Sequence, residues 1–199
     1  MPLNEIPSLL ASLLQSRQTI LPKRLGLPGP DAAQLAQILD AAAHAPDHGQ
    51  LLPWRFVVIP DGERSALGRV FSEALLERDS SALPEQLQQA YEKALRAPLL
   101  LLLVVEDARG DAEIGLLERV LSAGCAVQNM LLMATALGFG SALTSGKALN
   151  SSSLRGLFGL NRQEHAICFL SVGTAQRAKP ARVRPASDQY VTYLSTESQ

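Results

Sequence analysis

Residues 99–106 read LLLLLVVE, seven consecutive apolar side chains closed by one carboxylate. A strand with one wet face alternates apolar and polar residues, whereas an unbroken apolar run must be covered on both faces. Pro98 opens the run and the β-branched Val104 and Val105 favour extended backbone, so this stretch predicts a core strand. Working outward, RFVVI at 55–59, bounded by Pro53 and Pro60, predicts a short strand, and HAICFLSV at 165–172 predicts another. A short segment at 141–144 leads into a Ser145-Gly146 turn.

Helices fill the intervals. Residues 4–16 carry Ile6, Leu9, Leu10, Leu13 and Leu14 at helical spacing. Asp31 caps a second helix, with Gln34 at the capping-box position and Leu35, Ile38, Leu39 and Ala42 on one face, and Pro46 stops it. Polar-faced helices follow at 63–78 and 84–96, separated by Ser80-Ser81 and Pro84. A long helix at 116–137 ends on Gly138, and Ser151 or Ser152 caps a short one that reaches Phe158. The tail beyond Thr174 is basic and proline-punctuated, then turns strand-like at QYVTYL, 189–194. About four strands and six helices, with no repeat and no linker, predict a single α+β domain over 1–199.

Composition bounds the function. A chain of 199 residues with 47% hydrophobic and 19% charged residues can bury roughly 70% of its unfolded surface, which excludes disorder for most of it. A net charge of -1 and 5% aromatics lack the basic footprint and stacking rings of a nucleic-acid binder. Cys125 and Cys168 sit in apolar runs and read as small buried hydrophobes of a reducing compartment. The first apolar stretch has no preceding basic residue and contains Pro7, unlike a secretion signal, so the expectation is cytoplasmic. Residues 120–146 hold no charge, but Ser122, Gln128, Asn129 and Thr135 interrupt them and no basic cluster flanks them. They predict not a membrane span but a helix buried on nearly all sides, inside a domain or in a subunit interface.

Known nucleotide motifs fail on context. GFGSAL at 138–143 follows a helix and lacks the third glycine of a dinucleotide fingerprint, and SALTSGK at 141–147 lacks the first glycine and the final hydroxyl of a P-loop. His44 and His48 have the spacing of paired metal ligands, yet Pro46 interrupts the helix that would aim them and no third ligand is evident. Nothing near Cys125 would lower its pKa and make it a nucleophile. What remains is Arg17, the APDHGQLLPW loop at 45–54 and LTSG at 143–146. Such loops at element ends are either solvated turns or places where backbone N–H groups and a guanidinium meet an anionic cofactor.

Three stretches carry a resemblance in their order and spacing: AAAHAPDHGQLLPWRFVVI at 41–59, SAGCAVQNMLLMATALGFGSALTSG at 122–146 and FLSVGTAQ at 169–176. Together the sequence resembles the nitroreductase family of FMN-dependent oxidoreductases, in particular its small, short-chain branch, over about residues 17–194. The resemblance implies a central, mostly antiparallel sheet flanked by helices and an intertwined homodimer with FMN sites at the subunit interface. A C-terminal arm, 174–199, would cross over and add QYVTYL to the partner's sheet, and the helix at 116–137, uncharged from 120 onward, would be the dimer's central helix. The resemblance also implies a ping-pong cycle: NAD(P)H delivers hydride to FMN and leaves, and an electron-poor acceptor such as a nitroaromatic or quinone follows. FMN carries that chemistry, so no acid-base pair is required of the protein.

Carried over by position, the family's phosphate-binding motif falls on Arg17, Gln18 and Thr19, with Arg17 implied to hold the phosphate. Gln18 replaces a second arginine, and Arg24, Arg182 or Arg184 would restore the lost charge. His44 and His48 match positions that reach the cofactor from the partner subunit. Leu143, Thr144 and Ser145 match the segment along the flavin ring, and residues 133–138 match the approach of the nicotinamide nucleotide. Gln18 and the smaller ring wall also leave open a dimeric flavin-binding protein that acts in storage or regulation without turnover.

Overall fold

The computed structural model describes residues 3–177, 180 and 182–195. Its centre is an antiparallel sheet built on β3 (Leu99–Glu106) and β5 (Glu164–Ala175). β2 (Trp54–Val58) pairs with the outer side of β3, from Trp54 opposite Val105 to Val58 opposite Leu101. β4 (Gly140–Thr144) pairs with the other side of β5. A two-residue strand, β1 (Leu25–Gly26), pairs with the end of β5 and makes five strands where four were expected. It was not legible because two residues carry no period.

The apolar run of β3 is buried over its first seven residues, for the reason its composition gives. Leu99, Leu101, Leu103 and Val105 face α2 (Ala32–Ala42) and α5 (Leu116–Ala136) in one core. Leu100, Leu102 and Val104 face the other way, into a second core with Leu67 and Val70 of α3 (Arg64–Arg78) and Leu154 of α6 (Ser152–Leu157). α4 (Pro84–Glu92) packs against α3, and a 3-10 turn, Lys93–Leu95, carries the chain from it into β3. The caps form as read. Asp31 accepts from the Gln34 N–H while Gln34 reaches back to the Asp31 N–H, and Ser151, not Ser152, caps α6.

Two arginines inside the fold hold the loops at the ends of β3. Arg64 donates to the carbonyls of Ile59, Ala94, Ala97 and Pro98. Arg119, 1% exposed, donates to those of Ile114, Glu106, Arg109 and Asp111. The single tryptophan, Trp54, is buried and donates its indole N–H to the Ser122 hydroxyl on α5 at 3.0 Å.

Two stretches that the resemblance assigns to a subunit interface lie open in the single chain. α5 is not covered all round by its own chain: Ser122, Ala126 and Met130 are buried, but Leu117 is 85% and Leu121 69% exposed on its far side. The residues 189–194 form no strand within the chain. Gln189 ends a 3-10 turn, Ser187–Gln189, and Tyr193 and Leu194 beyond it stand in solvent. The arm expected over 174–199 is described except at residues 178, 179, 181 and 196–199, which lie outside the described set. α1 (Ile6–Ser16) buries none of its residues, so the apolar stripe of Leu9, Leu10 and Leu14 is exposed. Among the described residues no helix is long and apolar enough to cross a membrane.

Candidate functional site

α1 ends at Arg17, whose backbone turns extended, and the chain then runs beside β4. Thr19 bridges Ser141 in parallel and the Ile20 N–H donates to the Ser141 carbonyl at 2.9 Å, so residues 17–20 are laid along the sheet edge. Gly140 permits this approach. A Cβ there would stand 3.0 Å from side-chain atoms of both Ile20 and Leu25.

The C-terminal segment comes back to the same place. Arg184 donates to the Arg17 carbonyl at 2.8 Å. Half-buried Arg17 has its proton affinity lowered, first by burial and then by the charges of Arg184 and Arg182. Three guanidinium groups that repel one another are thus gathered at one helix end, an arrangement whose electrostatic cost a bound dianion would offset. Of the three arginines expected to replace the charge lost at Gln18, Arg182 and Arg184 are the ones the fold brings to Arg17. Arg24 instead sits in a 3-10 turn, Pro22–Arg24, exposed, with its carbonyl accepting from the Gln176 N–H.

Gln18 Oε1 and Ser141 Oγ are buried without a hydrogen-bond partner among the described residues. Leaving such a group unpaired costs about 1–3 kcal/mol, so polar atoms held this way point to a ligand or water that completes them. They lie on the strand segments that the Thr19–Ser141 bridge joins.

From there the chain enters the wall of a cavity of about 440 Å³, between the end of β4 and helices α3 and α4. Thr144 and Ser145 line it; Leu143, 44% exposed, is not among its lining residues. Apolar walls come from Phe71, Leu75, Leu149 and Phe169. Lys23, Arg78, Lys93, Arg96 and Lys147 also line it. Sequence reasoning passed over these five. The signal available was the basic YEKALRAP stretch just before β3, read only as part of a polar-faced helix.

His44 and His48 do not meet this cavity. They stand exposed at the exit of α2, and His48 Nδ1 lies 2.8 Å from Glu118 Oε2 in the first turn of α5. The loop is strained: Gln50 and Leu52 adopt φ values of 51° and 47°, a left-handed region disfavoured for side-chain-bearing residues. Asp47 holds the conformation by accepting from the Leu52 N–H at 2.6 Å. Strain maintained by a specific contact is characteristic of functional loops. Within one chain neither histidine lines the cavity that Thr144 and Ser145 border, and His48 is tied to the start of α5 instead.

The arginine cluster, the orphaned polar atoms and the adjoining cavity fit a ligand with a phosphate at one end and a flat, largely apolar body. Against known proteins, the model of the nitroreductase family matches residues 23–174. The chain is 36% identical over 174 residues to a Haemophilus influenzae protein named "Putative NAD(P)H nitroreductase", covering 86% of this chain and 93% of that one. Its fold is similar to that of a nitroreductase-like family protein from Bacillus cereus, with a TM-score of 0.79 at 18% identity over 93% and 95% of the two chains. It is also similar to a nitroreductase with bound FMN from Bacteroides fragilis, with a TM-score of 0.70 at 16% identity over 94% and 98%.

Proposed function

The chain belongs to the nitroreductase family, and from that membership we propose that it is an FMN-dependent oxidoreductase that uses NAD(P)H to reduce nitroaromatics, quinones or similar electron-poor acceptors. The observation that carries the cofactor assignment is the convergence of Arg17, Arg182 and Arg184 on one helix end. These residues would hold the FMN phosphate, with charge-assisted hydrogen bonds of the kind guanidinium groups make to phosphate. Gln18 and Thr19 follow directly, and Leu143, Thr144 and Ser145 would flank the ring, where the cavity begins. When bound, the group supplies two-electron hydride chemistry. The protein's own work is to bind it, orient it and leave one side of it open to the cavity, with protons drawn from water.

The site is proposed to be completed in a homodimer. The exposed apolar stripe of α1, the uncovered Leu117 and Leu121 of α5, and an arm ending in Tyr190, Tyr193 and Leu194 all support burial against a second copy. In that assembly the strained loop would bring His44 and His48 to the partner's cofactor, and residues 189–194 would gain a sheet. The two free cysteines suit a reducing cytoplasm.

The test is spectroscopic. Purified protein, or protein reconstituted with FMN, is expected to show oxidised-flavin absorption that bleaches on anaerobic addition of NADPH or NADH and returns with a nitroaromatic or quinone. A protein that takes up no FMN refutes the proposal. One that holds FMN tightly but turns over no acceptor supports a storage role instead.

A further inference from the structure

Five cations line one cavity that no carboxylate lines; the exposed Asp79 beside Arg78 feels its charge but stands outside. Lys23, Arg78, Lys93, Arg96 and Lys147 line it, no Asp or Glu does, and none of the five takes part in an ion pair among the described residues. They come from the turn after α1, the end of α3, the turn after α4 and the turn after β4, so the fold, not a local run of charge, assembles them. The chain as a whole has 18 basic and 19 acidic side chains, so this gathering departs from its near-neutral average.

The proposed cofactor does not use up this charge. Its phosphate is answered by Arg17, Arg182 and Arg184, none of which lines the cavity. Between the cations stand Phe71, Leu75, Leu149 and Phe169. Apolar walls ringed by unpaired positive charge suit a flat apolar body that carries a negative group.

We propose that the acceptor is an anionic aromatic, a nitroaromatic or quinone bearing a carboxylate or sulfonate, drawn in by this cationic mouth. The inference rests on the oxidoreductase reading above and names its substrate class. For a nitro group the balance is one hydride from NAD(P)H and one proton from water: both electrons enter the nitro group, one N–O bond breaks, and nitroso compound, water and NAD(P)+ result. The carboxylate takes no part in the reaction and serves only recognition.

Binding to the FMN-loaded, oxidised protein without nicotinamide nucleotide tests this with no turnover. Titration calorimetry would compare 4-nitrobenzoate with the neutral 4-nitrobenzamide. Roughly tenfold tighter binding of the anion is expected at low salt, most of it lost near 0.5 M salt, where screening shortens to about 4 Å. In an Arg78→Gln/Lys147→Gln double variant the preference should fall at least threefold. Equal binding of the two ligands, or a preference indifferent to salt, overturns the proposal. NADPH, with its extra phosphate, is the other anion the mouth could serve. If the double variant slows anaerobic flavin reduction by NADPH relative to NADH but leaves the nitrobenzoate preference intact, the cations serve the reductant and the proposal falls. A protein that binds no FMN, or whose FMN neither nucleotide reduces, fails the parent reading. A loaded, reducible protein blind to ligand charge fails only this inference.

Discussion

Arg17 was legible as a candidate because a lone guanidinium closes the first helix, whereas its companions were named only through the family resemblance, as two of three alternatives. Arg182 and Arg184 lie more than 160 positions away, and no local pattern ties them to it. Replacing Arg17 with Gln should weaken FMN binding by roughly 10- to 100-fold, the range of charge-assisted hydrogen bonds, and leave riboflavin, which has no phosphate, nearly unaffected. Parallel fluorescence titrations with the two flavins check this. Equal losses for both would place Arg17 at the ring and not at the phosphate. Arg119 shows a second limit of sequence reading: an arginine in an amphipathic helix reads as solvent-facing, yet it is buried where it donates to four carbonyls, of Glu106 at the end of β3 and of Arg109, Asp111 and Ile114 in the loop before α5. Arg119→Met would remove all four of these bonds and should cost about 3 kcal/mol or more of unfolding free energy, read from denaturant curves. Burial pushes the Cys168 thiol up to about 11, so the native protein should not be modified there by thiol reagents at neutral pH.

At the scale of elements, strong periodicity and end signals were readable, and weak or tertiary ones were not. LLLLLVVE, the Asp31 capping box and the Gly138 terminus formed where composition placed them. Gly138 ends α5 at φ 85°, so Gly138→Ala should destabilise by about 1 kcal/mol, measurable as a lowered denaturation midpoint. β1, by contrast, exists only because β5 runs long enough to offer it a partner. At the start of β5, burial alone would raise the Glu164 pKa, but the Asn161 N–H and the Arg55 guanidinium outweigh it and hold the carboxyl below its ordinary value. A depressed carboxylate stabilises the fold above its unfolded-state pKa, near pH 4, and that stability drains away as pH falls toward the folded value. Glu164→Gln should therefore flatten the acid limb of stability against pH. An unchanged limb would show that other carboxylates set it.

For the whole molecule, the sheet and both cores close within one chain, whereas apolar surface on α1, on α5 and along the arm does not. The sequence showed that α5 is uncharged beyond Arg119 but not which of its faces its own chain would leave bare, since that depends on where α2 and the sheet end. Sedimentation should show a dimer, and deletion of 187–199 should shift it toward monomer at micromolar concentration. A dimer unmoved by the deletion would mean that α1 and α5 suffice. Trp54, the only indole in the chain, is locked between β2 and α5 by its hydrogen bond to Ser122. Its emission should lie toward the blue in the native state, redden once on denaturation, and dim by energy transfer when a yellow chromophore is loaded. The protein thus carries a built-in optical gauge of both its integrity and its charging.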